Sequence, residues 1–248
     1  MNDANPNPPP APPAPASQLP PPIYGPRPLG DDPADREPIP NVVAAIESIL
    51  RQPRRLIFQL RQPGAGKLIA GMLLVTIVCS LIYGLIVGSF SGGTQWWAAP
   101  AKVTVGLLIS AVICLPSLYI FTCLSGSQAR LVEIIGLVAA LLMLMTILLI
   151  GFAPVAWLFS QSTNQAGWMG LLHLLFWGVA TGFGLRILHA GFSHAKARSS
   201  SGVNTWAVIF VLVVLQMTTA LRPLIGTAET LLPQEKKFFV SHWFDCMK

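Results

Sequence analysis

Apolar positions dominate this chain in long blocks, and the polar ones are gathered between the blocks. The stretch from Ile134 to Leu185 contains no Asp, Glu, Lys or Arg, and its interior is broken only by the polar insert QSTNQAG at Gln161–Gly167. Two passes through hydrocarbon need such a pattern, since each takes about 20 apolar residues. Three further blocks have the same character, so five membrane helices are predicted. They run from Leu68 to about Phe90, about Val103 to Leu124, about Leu131 to Phe152, about Trp168 to Leu188 and about Thr205 to Leu221. Gly151 and Pro154 are read as ending the third. The expected fold class is all-α: a polytopic membrane protein, a bundle of five transmembrane helices preceded by a disordered proline-rich tail.

The flanks divide by pattern too. Residues 1–40 hold most of the 22 prolines and no apolar face, which predicts an extended, unpacked cytoplasmic tail. It ends in the acidic run DDPADRE, Asp31 to Glu37. Residues 41–67 mix bases with apolar positions. Asn41 is placed to cap a short helix with Val42, Val43, Ile46, Ile49 and Leu50 on one side, and Pro53 interrupts it. Arg51, Arg54, Arg55, Arg61 and Lys67 then crowd ahead of the first membrane segment, the composition of a basic amphipathic helix in a lipid headgroup layer. Residues 68–221 form the membrane domain. Residues 222–248, ending KKFFVSHWFDCMK, read as a short interfacial tail.

Composition agrees with the pattern. The chain of 248 residues is 53% hydrophobic and only 10% charged, against about 25% charged in soluble domains. The formal charge of +6 invites a nucleic-acid reading, but the bases lie beside apolar runs, where they set orientation and meet headgroups. No nucleic-acid partner is expected. With the N-terminus in the cytoplasm, only Lys102, Arg222, Lys236, Lys237 and Lys248 of the 16 Lys and Arg fall on the opposite side. That favours N-in and C-out. No apolar h-region lies within residues 1–40, so the first membrane segment is expected to act as the targeting signal. Trp96, Trp97, Trp157 and Trp168 sit where an interfacial aromatic belt would place them.

Candidate chemistry is sparse. His173 and Gln216 are the intramembrane polar residues singled out, both as hydrogen-bonding partners of a neighbouring helix. His189 and His194 lie near a Ser-rich connection, and His242 and Cys246 stand four apart, too few donors for a metal. GAGK at Gly64–Lys67 lacks the first Gly and the Ser or Thr of a phosphate loop. No catalytic, cofactor or metal site is expected. Small-residue spacing does recur: Gly84, Gly88 and Gly92 in the first segment and Gly178 and Gly182 in the fourth, a pattern that lets helix backbones approach. These glycines are expected to pack helices within the bundle or between copies. Pro116 should kink the second segment.

Five passes, a proline-rich cytoplasmic N-terminus and a short exoplasmic C-terminus resemble the Yip family of membrane-trafficking proteins and its bacterial inner-membrane relatives, as does the run from Trp96 to Gly126. Ile23-Tyr24-Gly25-Pro26 resembles the end of that family's acidic-aliphatic-aromatic-Gly-Pro motif, with Pro22 where the acidic residue stands. The resemblance implies membrane organisation and binding of small GTPases, without catalysis. The chain is therefore expected to be a non-enzymatic scaffold or accessory subunit of a membrane assembly in a bacterial inner membrane. Its partners would be the lipid bilayer and other proteins, or further copies, through its helices. A transporter or channel component is one alternative. The other is a membrane enzyme built from His173 with Ser160, Gln161 or Thr163.

Overall fold

The computed structural model describes residues 28–91, 95–162, 166–194 and 201–220. Three short helices come first: α1 (Pro33–Arg36), α2 (Val42–Arg51) and α3 (Pro53–Leu60). Five longer ones follow: α4 (Gly66–Ser91), α5 (Gln95–Leu124), α6 (Leu131–Ser162), α7 (Ala166–His194) and α8 (Ser201–Ala220). No strand occurs among the described residues.

Local chemistry sets the boundaries. Asn41 caps α2 by accepting from the Ala44 amide at 2.8 Å. Pro53, which cannot continue α2, instead opens α3, where a missing amide costs nothing. Gly64, with φ at +91°, makes the turn from α3 into α4. Gly126 ends α5 at φ +71°, with the Ser127 amide bonded back to the Thr122 carbonyl at 3.2 Å.

Four helices, α4 to α7, are long and apolar enough to cross a membrane. The fifth apolar helix, α8, is shorter, its apolar part running Ser201–Met217. Helix α6 is the hub. It packs on α4 and α7, α4 packs on α5, and α8 lies against α5. Every residue of α6 from Gly136 to Thr146 is buried, so about three turns are covered on all sides. Successive helices run in opposite directions, which puts α1–α3 at the end where α4 and α6 begin.

Two expectations are corrected. Gly151 and Pro154 do not end α6, which continues to Ser162. Pro154 lies on the exposed side, while Phe152 stacks on Phe176 of α7 at 4.7 Å and Ala153 and Ala156 are buried. Packing on both sides of the proline holds the helix through one missing bond. The second concerns residues 28–40, expected to be part of an unpacked tail. Residues 28–40 are folded onto α3, with Asp35 buried, because arginines supply the partners that an apolar face would otherwise provide. Residues 1–27 and 221–248 lie outside the described residues, and with them the Ile23–Pro26 motif, His242, Cys246 and the interfacial tail.

Candidate functional site

Tyr83 of α4 and His173 of α7 meet inside the bundle. The phenol oxygen lies 2.6 Å from His173 Nδ1, and the rings stand edge to face at 5.7 Å and 87°. Both side chains are buried, and His173 Nε2 has no partner among the described residues. The contact turns Nδ1 toward α4 and leaves Nε2 facing away from it. His173 is thus a hydrogen-bonding partner of a neighbouring helix, joining α4 and α7 beyond the hub that both lean on.

Most other buried hydroxyls turn back on their own helices; that of Ser48 has no partner among the described residues. Thr76 donates to Met72 O, Ser110 to Gly106 O, Thr122 to Leu118 O and Thr146 to Leu142 O. Two exceptions join helices: Ser80 of α4 and Thr104 of α5 are 2.9 Å apart, and Thr181 of α7 donates to Met145 Sδ of α6 at 3.6 Å. Lys102, half a turn before Thr104, is also buried. Ser160 bonds to the Trp157 carbonyl and Gln161 to Ser160, both at the exposed end of α6. Neither is bonded to His173, and Thr163 is outside the described residues. Gln216 is half-buried on α8.

The glycines divide. Gly84 is buried where α4 meets α5, and a Cβ there would be driven into the backbone of Pro100. Gly88, one turn on, is buried as well. Gly178 and Gly182 point the other way, and a Cβ at either meets nothing within 4 Å. The close approach in α7 is made instead by Gly184, whose added Cβ would stand 3.1 Å from the Leu141 carbonyl oxygen, and by Gly191 against Leu137.

At the other end, the bases expected in the headgroup layer hold the cap together. Arg54 pairs with Asp35 at 3.2 Å and donates to the Pro28 carbonyl at 3.0 Å. Arg55 donates to the carbonyls of Glu37 and Pro38. Arg61 pairs with Glu133, at the start of α6, at 3.6 Å. Arg51 reaches only Glu47 on its own helix, and Lys67 is exposed. A shallow crevice opens beside the Arg61–Glu133 pair, between Ile57, Leu60, Leu137 and Gly191. His194 ends α7 within electrostatic reach of Arg54, Arg61 and Asp35. No cluster of three His, Cys, Asp or Glu that could hold a metal occurs among the described residues.

Sequence reasoning missed Tyr83, Gln59 and the pairing roles of Asp35 and Glu133. A tyrosine inside an apolar run was the available signal for the first, since a buried phenol needs a partner. No family model, curated protein or solved structure matches the chain.

Proposed function

We propose that this protein is a non-enzymatic scaffold or accessory subunit of a membrane assembly, a Yip-like organiser of the bacterial inner membrane. In this reading α8 is a fifth span, the N-terminus is cytoplasmic and the C-terminus exoplasmic. The supporting observation is the filling of the bundle's centre by α6, buried on all sides from Gly136 to Thr146. A transporter or channel needs a polar or hydrated path through that place. Here it is occupied by Leu, Met, Ala and Val side chains, and its one polar side chain, Thr146, is bonded back to its own helix. What remains for function is the outer surface: the lipid-facing helices, the cap, and the termini.

The test is purification of the tagged full chain from native membranes in a mild detergent, followed by mass spectrometry and native mass measurement. A stoichiometric partner, or a defined oligomer, is the expected result. A lone monomer that drives solute flux when reconstituted into vesicles would overturn the reading. Orientation is tested separately. A membrane-impermeant thiol reagent on intact cells should label Cys246, while Ser199→Cys stays unlabelled until the membrane is opened.

A further inference from the structure

Residues 28–39 cross α3 as a strap, and most of what holds them there is polar. Besides the Arg54 contacts to Asp35 and the Pro28 carbonyl, Arg55 donates to Glu37 O at 3.1 Å and Pro38 O at 2.8 Å. It also pairs with the Glu37 carboxylate at 3.4 Å. Gln59, one turn on, donates to the carbonyls of Arg36 and Glu37 at 3.2 and 3.0 Å. The apolar share comes mainly from Leu29 and Ile39, both only partly buried, and from Phe58 beside Gly30. Asp35 is buried in its pair with Arg54, whereas Glu37 is exposed in its pair with Arg55, and salt weakens the attraction at the exposed end first. The strap is held through oxygen acceptors that another anion can also supply.

Its position gives that property a use. Leu60 of α3 packs on Gly136 and Arg61 pairs with Glu133, so the end of α3 sits where α6 enters its apolar run. Arg54 and Arg55 stand about two turns of α3, roughly 10 Å, from that level. Along the strap, Asp31, Asp32, Asp35 and Glu37 face a single base of its own, Arg36. Carboxylates and carbonyls offer guanidinium groups the same oxygen acceptors as a phosphodiester. We infer that the α3 face carrying Arg54, Arg55 and Gln59 is a binding site for anionic phospholipid headgroups, masked in cis by the acidic strap. This rests on α4 to α7 crossing a bilayer and is independent of what the protein assembles with. A negatively charged leaflet competes with the strap for the two arginines and releases it; a zwitterionic leaflet leaves it closed.

The test uses the full chain in lipid nanodiscs of phosphatidylcholine alone or mixed with phosphatidylglycerol. Amide hydrogen exchange is followed at Gly30, bonded to Asp35 Oδ2, and at Asp35, bonded to the Asp32 carbonyl. Exchange of this segment should be roughly tenfold faster in the anionic discs, and high salt should remove the dependence on lipid. Arg54→Gln with Arg55→Gln should exchange fast in both lipids, and Asp35→Asn with Glu37→Gln should open the strap even in phosphatidylcholine. Equal protection of the parent chain in the two lipids would overturn the site. Release by inorganic phosphate in phosphatidylcholine discs would overturn the bilayer as its occupant. A chain that enters no disc would overturn the membrane reading itself, whereas one that enters discs and shows no lipid effect overturns only the masked site.

Discussion

Trp206 of α8 donates its indole N–H to the carbonyl oxygen of Cys114 in α5 at 2.7 Å, two residues before Pro116. The Ser117 hydroxyl donates to the same oxygen at 2.8 Å. Pro116 withdraws the amide that would have bonded the Val112 carbonyl, and beside that gap the Cys114 carbonyl takes donors from a neighbouring helix and from Ser117. Trp206 is fully buried and stacks on Phe210 at 5.1 Å, so the indole is both donor and filler between α5 and α8.

Trp206→Phe keeps an aromatic ring and removes the donor. It should lower the stability of the purified protein by about 1–2 kcal/mol, from the lost bond and the smaller ring. Thermal melting in a mild detergent reads this directly. A melting temperature equal to the parent's would mean that the indole bond holds nothing.

The Tyr83–His173 link is open to a double-mutant cycle. Tyr83→Phe strands a buried ring nitrogen, and His173→Leu strands a buried phenol. Each alone should destabilise the protein, and the double variant by less than the sum. The expected coupling is about 0.6–1.7 kcal/mol, the range found for hydrogen bonds between membrane helices. Strict additivity would show that the two groups are neighbours without being partners.

Glycine substitutions should separate by position and not by motif. Gly84→Ala places a methyl group against the Pro100 backbone, which cannot move aside, and should cost more than about 1 kcal/mol. Gly178→Ala and Gly182→Ala meet open space and should leave the monomer's melting unchanged. If those two alter the oligomeric state instead, the exposed pair serves contacts between copies. Destabilisation by all three alike would contradict the packing described.

The Arg61–Glu133 pair joins the cap to α6 with side chains 30% and 15% exposed. Arg61→Gln should cost up to about 1 kcal/mol at low salt, less at high salt, and leave membrane insertion intact. Melting curves across a salt series check both the size and the trend. A loss that does not change with salt would assign the role of Arg61 to the packing of its stem.

Membrane helices were legible because hydrocarbon imposes length and uncharged composition on any span. Interior packing was not, since every face of α4 and α7 is apolar whether it meets lipid or protein. That is why Gly84 and Gly178 look alike in the sequence and differ in the bundle. The end of α6 was misplaced because Pro154 was weighed as a local breaker, without the Phe152–Phe176 stack that spans it. The strap stayed hidden for a different reason. Its partners, Arg54, Arg55 and Gln59, are distant in sequence and bind backbone carbonyls, which carry no residue signature. Proline-rich composition predicts an extended, unpacked chain there, and residues 28–40 depart from it.

The enclosed turns of α6 bear on how the chain assembles. Between Gly136 and Thr146 this helix has no outward side, yet α7, which covers one flank, is synthesised after it. Until α7 arrives, lipid tails must lie along Leu141, opposite the place Gly184 will take. Acyl chains solvate leucine as well as another helix does, so nothing drives α6 out of them by aversion to its surroundings. Folding here is an exchange of solvents, lipid for protein, and its gain comes from fit. A chain halted after Ser162 would already be threaded through the bilayer while its central helix still waited, comfortably dissolved, for a neighbour.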